Sequence, residues 1–306
     1  MIKTFFKDNP IHKKIVLYLD FIFLFFPANY FLIWAPICLG MYIANTRSDL
    51  SSLWILAFNL KIGFLFLALS LIMASFFIKI SNVGLEKNSY KFINKYLFYF
   101  GFLFLFFTNI YNLILGLFFF VLYKFLFPRI LEDKKVLYNP LLNIIFCSLF
   151  IISGYAIIAT NNSYFIIDIN YLVALRMLIY IIYTFSIILM ITLHYDLKIL
   201  SSSRRIKVLI ATLLITLNLI LGIYLNDPLL SITSIVSAPF FLFALFRNLN
   251  KDIERSIIYP VFICNFFVST IYPYLFILLL IIFYISKYYY WHRFNFHYPT
   301  FLVKND

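Results

Sequence analysis

The chain has 306 residues, 64% of them hydrophobic and 12% charged, with a mean hydropathy of +0.97. Soluble domains carry about a quarter charged residues, so this composition excludes a water-soluble globule and requires lipid as the solvent. The net charge of +13 points to loops that face anionic headgroups and not to nucleic acid, because no soluble basic domain exists to bind it.

The apolar runs are continuous, not alternating, which predicts helices and excludes a β-barrel. Taken in chain order, nine spans are predicted at roughly 16–44, 53–78, 92–109, 110–127, 141–160, 171–195, 207–225, 228–246 and 257–286. The polar start, Met1 to Asn9, does not read as a cleavable signal peptide, because the apolar run that follows is too long and lacks a small-residue cleavage site. Residues 97–127 run nearly unbroken, and Thr108-Asn109 with Tyr111-Asn112 mark the predicted turn within them. Pro260 and Pro273 fall in the last span and predict a kinked or re-entrant segment there. The prediction is therefore an all-α, polytopic integral membrane protein, with residues 1–306 forming one transmembrane domain.

The cations set the topology. They cluster at Lys3 to Lys14, Lys79 to Lys95, Lys124 to Lys135, Lys198 to Lys207 and Arg247 to Arg255. Each gap between clusters accommodates two crossings. With nine helices, the N-terminus and all the basic loops face the cytoplasm, as the positive-inside rule requires. Merging the third and fourth spans would put 79–95 and 124–135 on opposite sides. The bacterial inner membrane is the expected location. The basic tail from Lys287 to Asp306 then falls outside, the one segment against the rule.

Few side chains suggest chemistry. Cys38, Cys147 and Cys264 sit far apart in apolar segments and read as buried small hydrophobes. His12, His194, His292 and His297 are scattered. Lys61 and Arg176 lie near outer helix ends, where they can snorkel. The stretch from His194 to Lys207 differs: Asp196 stands where a long apolar helix meets the cytoplasm, ahead of Arg204 and Arg205. A carboxylate beside cations at a membrane surface can hold a divalent metal and an anionic headgroup, or can form a local salt bridge in an ordinary basic loop.

The order of these segments resembles the UbiA-type intramembrane prenyltransferases. Phe26 to Gly40, with Pro27, Asn29 and Pro36, looks like that family's first helix. Leu122 to Asn139, where Tyr123 precedes Pro128 and a basic cluster, looks like its helix-four exit. His194 to Lys198 with Arg204 and Arg205 looks like its second aspartate motif. The resemblance spans roughly 15–285. It implies nine helices around a central cavity open near the cytoplasmic face. It also implies Mg²⁺ held by two Asp-rich loops, an isoprenoid diphosphate donor and a hydrophobic aromatic or lipid acceptor.

The chain departs from that family in its first motif. The family reads Asn-Asp-x-x-Asp-x-x-x-Asp, whereas residues 77–89 contain Asn82 and Glu86 and no Asp. The second motif keeps Asp196 alone. Asn82, Glu86 and Asp196 are thus the candidate metal or diphosphate ligands, enough for one shared Mg²⁺ and not for two. Lys79, Lys87, Arg129, Lys135, Arg204 and Arg205 are candidate anion-binding residues, and Asn29 is the candidate cavity-lining residue. Three readings follow: a divergent prenyltransferase, a catalytically silent relative that binds a membrane lipid or a protein partner, and an unrelated carrier.

Overall fold

The polar punctuation of the sequence decides where the helices stop. The computed structural model describes residues 11, 14–15, 27–45, 60–81, 89–122, 140–162, 170–195, 201–271, 277, 280–281, 283–285 and 287–289. Among these, nine helices are delimited: α1 Pro27–Asn45, α2 Leu60–Ser81, α3 Ser89–Phe106, α4 Ile110–Val121, α5 Pro140–Asn162, α6 Tyr171–Tyr195, α7 Ser201–Tyr224, α8 Pro228–Arg247 and α9 Asn250–Ile271. No strand occurs among the described residues.

The long run at 97–127 breaks where its polar residues fall. Thr108 donates its hydroxyl to the Leu105 carbonyl at 2.6 Å, closing the last turn of α3. Asn109 is extended and caps α4, its side-chain oxygen accepting from the Asn112 N–H at 2.8 Å. The Asn109 amide also donates to the Ala156 carbonyl at 3.1 Å, which pins this turn to α5.

The α7–α8 turn combines two cap signals. Asn226 adopts φ 51°, the left-handed conformation that asparagine tolerates better than most residues. The Asp227 N–H bonds the Gly222 carbonyl at 2.9 Å and the Asn226 N–H bonds Ile223 at 3.1 Å, a Schellman closure. Asp227 then caps α8, with Pro228 in its first turn.

Two helices begin more than a turn earlier than the sequence predicts. α7 starts at Ser201 and not near 207, so Arg204 and Arg205 belong to the helix and not to a loop. Serines suit helix starts better than interiors, and three in a row precede the arginines. α9 starts at Asn250 and not near 257, because Asn248 at φ 51° ends α8 within one residue and lets the chain turn at once. α9 is described to Ile271, and the second predicted kink residue, Pro273, lies outside the described residues.

Side-chain contacts fix the direction of the helices. Tyr42, late in α1, meets Tyr180, near the centre of α6, edge-on at 6.4 Å. Phe64 of α2 stacks on Phe104 of α3 at 5.7 Å, while Ala68 and Ile72 flank Gly101, so these two helices are antiparallel. α1 and α5 cross with backbones in contact: a methyl group at Gly40 would meet the backbone of Ile151 and Tyr155, and one at Gly154 the backbone of Ile37. Small residues permit such approaches between membrane helices. α6 packs against α1, α5, α7 and α9. α4 is antiparallel to α5, with Asn109 on Ala156 and Phe119 on Phe146. Cys147 of α5 lines one crevice with Tyr183 and Ile187 of α6, while Arg204 on Asn250 joins the starts of α7 and α9. The closing ends of α2, α6 and α8 and the opening ends of α3, α7 and α9 therefore share one end of the bundle.

Three helical stretches, Tyr171–Leu193, Arg204–Tyr224 and Pro228–Arg247, are long and apolar enough to cross a membrane. The other apolar helices are shorter over their described residues. α7 shows the expected lipid-facing stripe, with Leu209, Leu213, Leu217, Ile220 and Ile223 all exposed. These features fit a helical membrane protein.

Candidate functional site

The two loops that carry the sequence-predicted ligands leave from the same end of the bundle. α2 closes at Ser81 and α3 opens at Ser89, while α6 closes at Tyr195 and α7 opens at Ser201. Asn82, Glu86, Lys87, Arg129, Lys135 and Asp196 themselves lie outside the described residues. Lys79 belongs to the last turn of α2 and Asn29 to the first turn of α1. Only Arg204 and Arg205 of the predicted set have described side chains.

Arg204 is half-buried and donates to the Asn250 side-chain oxygen at 2.6 Å, bracing the start of α7 against the start of α9. Arg205 is exposed beside it. Beyond this brace lies an acid that the candidate set does not include. Asp252 is 2% exposed. Its two oxygens face Arg255 and Arg247, each at 3.3 Å, and both guanidinium side chains are more than half exposed. The i,i+3 spacing of Asp252 and Arg255 on one helix was the available signal.

A second buried acid occupies the opposite end. Asp227 is 3% exposed. Tyr180 donates its hydroxyl to this carboxylate at 2.9 Å and the Leu230 N–H at 3.1 Å. Tyr42 lies within electrostatic reach of Asp227 and of Arg176. The Asp-Pro pair at 227–228 is a helix-start signature, so the cap was legible, but the burial was not. Arg176 is half-buried toward this group. Lys61, at the start of α2, is exposed as snorkelling requires.

Between α1, α5, α6 and α9 a narrow crevice is lined by Pro36, Cys147, Tyr183, Cys264 and Asn265 among others. Asn265 donates to the Val261 carbonyl at 2.7 Å, and its buried oxygen has no hydrogen-bond partner. Tyr183 meets the Ser237 hydroxyl at 3.2 Å. The three cysteines are buried and unpaired by disulfides, as the sequence predicts. Among the described residues, no three His, Cys, Asp or Glu side chains converge as a metal site.

Comparison with protein-family models, curated proteins and solved structures finds no match.

Proposed function

We propose that this chain is a divergent UbiA-like intramembrane prenyltransferase, with nine spans around a cavity open at the cytoplasmic face. It transfers an isoprenoid chain from a polyprenyl diphosphate to an aromatic or lipid acceptor. One observation carries the reading: the helix ends bounding residues 82–88 and 196–200 share one end of the bundle, and Arg204 and Arg205 stand there. A diphosphate at that end meets Lys79, Lys87, Arg204 and Arg205, whose charge grips it as the bond from the allylic carbon to oxygen breaks. Its electron pair leaves with the diphosphate. The acceptor supplies the new bond and releases a proton.

Glu86, Asp196 and Asn82 provide oxygen donors suited to one Mg²⁺, which when bound neutralises the leaving diphosphate. Asp252 is unsuited to join them, because two arginines already hold it. The second reading is a catalytically silent lipid-binding relative. It is favoured by Asn82 and Glu86 standing where the resembling family has its first aspartate motif.

Purified protein incubated with labelled polyprenyl diphosphates of several lengths separates the two. Transfer by the wild type and none by a folded Asp196→Ala variant supports the enzyme. No transfer with any donor, alongside retained lipid binding, supports the silent relative. An experimental structure with Glu86 and Asp196 more than about 10 Å apart rules out a shared Mg²⁺, whose bonds are about 2.1 Å.

A further inference from the structure

The α8–α9 turn holds more fixed positive charge than its own architecture uses. Asp252 is buried beneath the turn and accepts from Arg255 on its own helix while facing Arg247 across the turn. It therefore pulls two guanidinium groups toward one point. Each guanidinium has five N–H donors, and a single carboxylate between two of them leaves most of those donors to other partners. The two arginine side chains are 54% and 55% exposed, so the remaining donors are open to solvent. Arg204 is anchored beside them through Asn250, and Lys251 is exposed on the same turn.

A structural role accounts for one arginine and not for both. A buried carboxylate is compensated by one well-placed cation with hydrogen bonds. The second arginine adds like-charge repulsion that a phosphate would relieve. The surroundings then select the kind of phosphate. Phe246, next to Arg247, is 80% exposed, and Phe243 and Leu249 are exposed with it. Large apolar side chains directly beside open cations match the boundary between acyl chains and headgroups, not a face bathed in water. Free phosphate would satisfy the arginines and leave Phe246 uncovered, whereas a phospholipid satisfies both.

We propose that the α8–α9 turn is an anionic phospholipid site, with the lipid phosphate held by Arg247 and Arg255 and the acyl chains lying along Phe246 and Phe243. Arg204 and Lys251 flank it and add long-range attraction. Arg247 and Arg255 are not among the residues proposed above to hold the diphosphate, so the site does not depend on prenyl transfer. Each cation near a lipid surface contributes about 1 kcal/mol, so each arginine accounts for about a fivefold preference.

The test is native mass spectrometry of the full-length protein in detergent, titrated with phosphatidylglycerol and with phosphatidylcholine of the same acyl chains. The wild type should retain the anionic lipid preferentially. The Arg247→Gln, Arg255→Gln double variant should lose about thirty-fold of that preference, while Lys61→Gln at the other end should keep it. If the double variant does not fold, Arg255→Gln alone, which leaves Arg247 on Asp252, should lose about fivefold. An unchanged preference in a folded variant overturns the proposal. So does displacement of the bound lipid by millimolar inorganic phosphate, which makes free phosphate the ligand.

Discussion

Tyr180 donates its hydroxyl to the Asp227 carboxylate at 2.9 Å, both side chains buried, tying the centre of α6 to the first turn of α8. Asp227 is also the α8 cap. The contact therefore joins a local signal, legible as Asp-Pro, to a tertiary partner 47 residues away. Removing the hydroxyl in Tyr180→Phe leaves the acceptor buried and short of a donor, which costs about 1–3 kcal/mol. Asp227→Ala loses the cap as well, for about 1 kcal/mol more. Unfolding of the detergent-solubilised variants should show that order, and the double variant should cost less than the sum of the single ones. Additive losses would mean that the two residues do not act as a pair.

The Gly40–Gly154 crossing brings the backbones of α1 and α5 together and leaves no room for a side chain. The obstruction is backbone on both sides, so a flexible neighbour cannot swing away. Overpacking typically costs about 1–3 kcal/mol. Gly154→Ala should lower the midpoint of unfolding in dodecyl sulfate, and Gly154→Leu should lower it further. Gly63, where an added methyl meets nothing within 4 Å, is the control, and Gly63→Ala should leave the midpoint unchanged or raised. Equal effects at both positions would contradict the crossing geometry.

How far the fold was legible depends on the punctuation. The α3–α4 break was legible because Thr108 and Asn109 carry capping chemistry inside an otherwise apolar run. The starts of α7 and α9 were not, because a window of hydropathy treats Arg204 or Asp252 as loop residues, whereas helices extend past the apolar run when polar side chains are braced. Arg204 on Asn250 and Asp252 between two arginines supply that bracing. Of the candidate site, the helix ends that bound its loops fall among the described residues. Sequence spacing indicates which loops carry cations, and packing brings their bounding helix ends to the same side. The buried acids were missed because both sit at helix starts, Asp227 as a cap and Asp252 in a first turn, and burial of a helix start is a property of the neighbouring helices.

Asp252 should behave differently from Asp227 when neutralised. Its partners Arg247 and Arg255 are more than half exposed and stay hydrated when the acid is lost, so the pair is worth about 1 kcal/mol and not the cost of a fully buried pair. Asp252→Asn should therefore destabilise modestly, and raised salt should narrow its difference from the wild type as the exposed charges are screened. Unfolding midpoints at low and high ionic strength check this. A loss as large as that of Asp227→Ala would show that the arginines are shielded far more than their exposure indicates.

Asn218 on α7 offers the sharpest distinction between structure and function. It is 0% exposed, and neither its amide nor its carbonyl has a hydrogen-bond partner, as is true of the Ser234 hydroxyl on α8. Gly222 faces Ser231 across these antiparallel helices, and Asn218 and Ser234 each lie one turn deeper along the same stripe. An unpaired buried amide costs about 1–3 kcal/mol, and a side chain of similar volume without polar atoms avoids that cost. Asn218→Leu should therefore raise resistance to unfolding if the residue has no further role. Stability that rises while lipid binding or transfer falls would mark Asn218 as a ligand-facing group, with the destabilising amide retained for function. Stability that falls instead would mean that Asn218 and Ser234 bond each other, and Ser234→Ala should then cause the same loss.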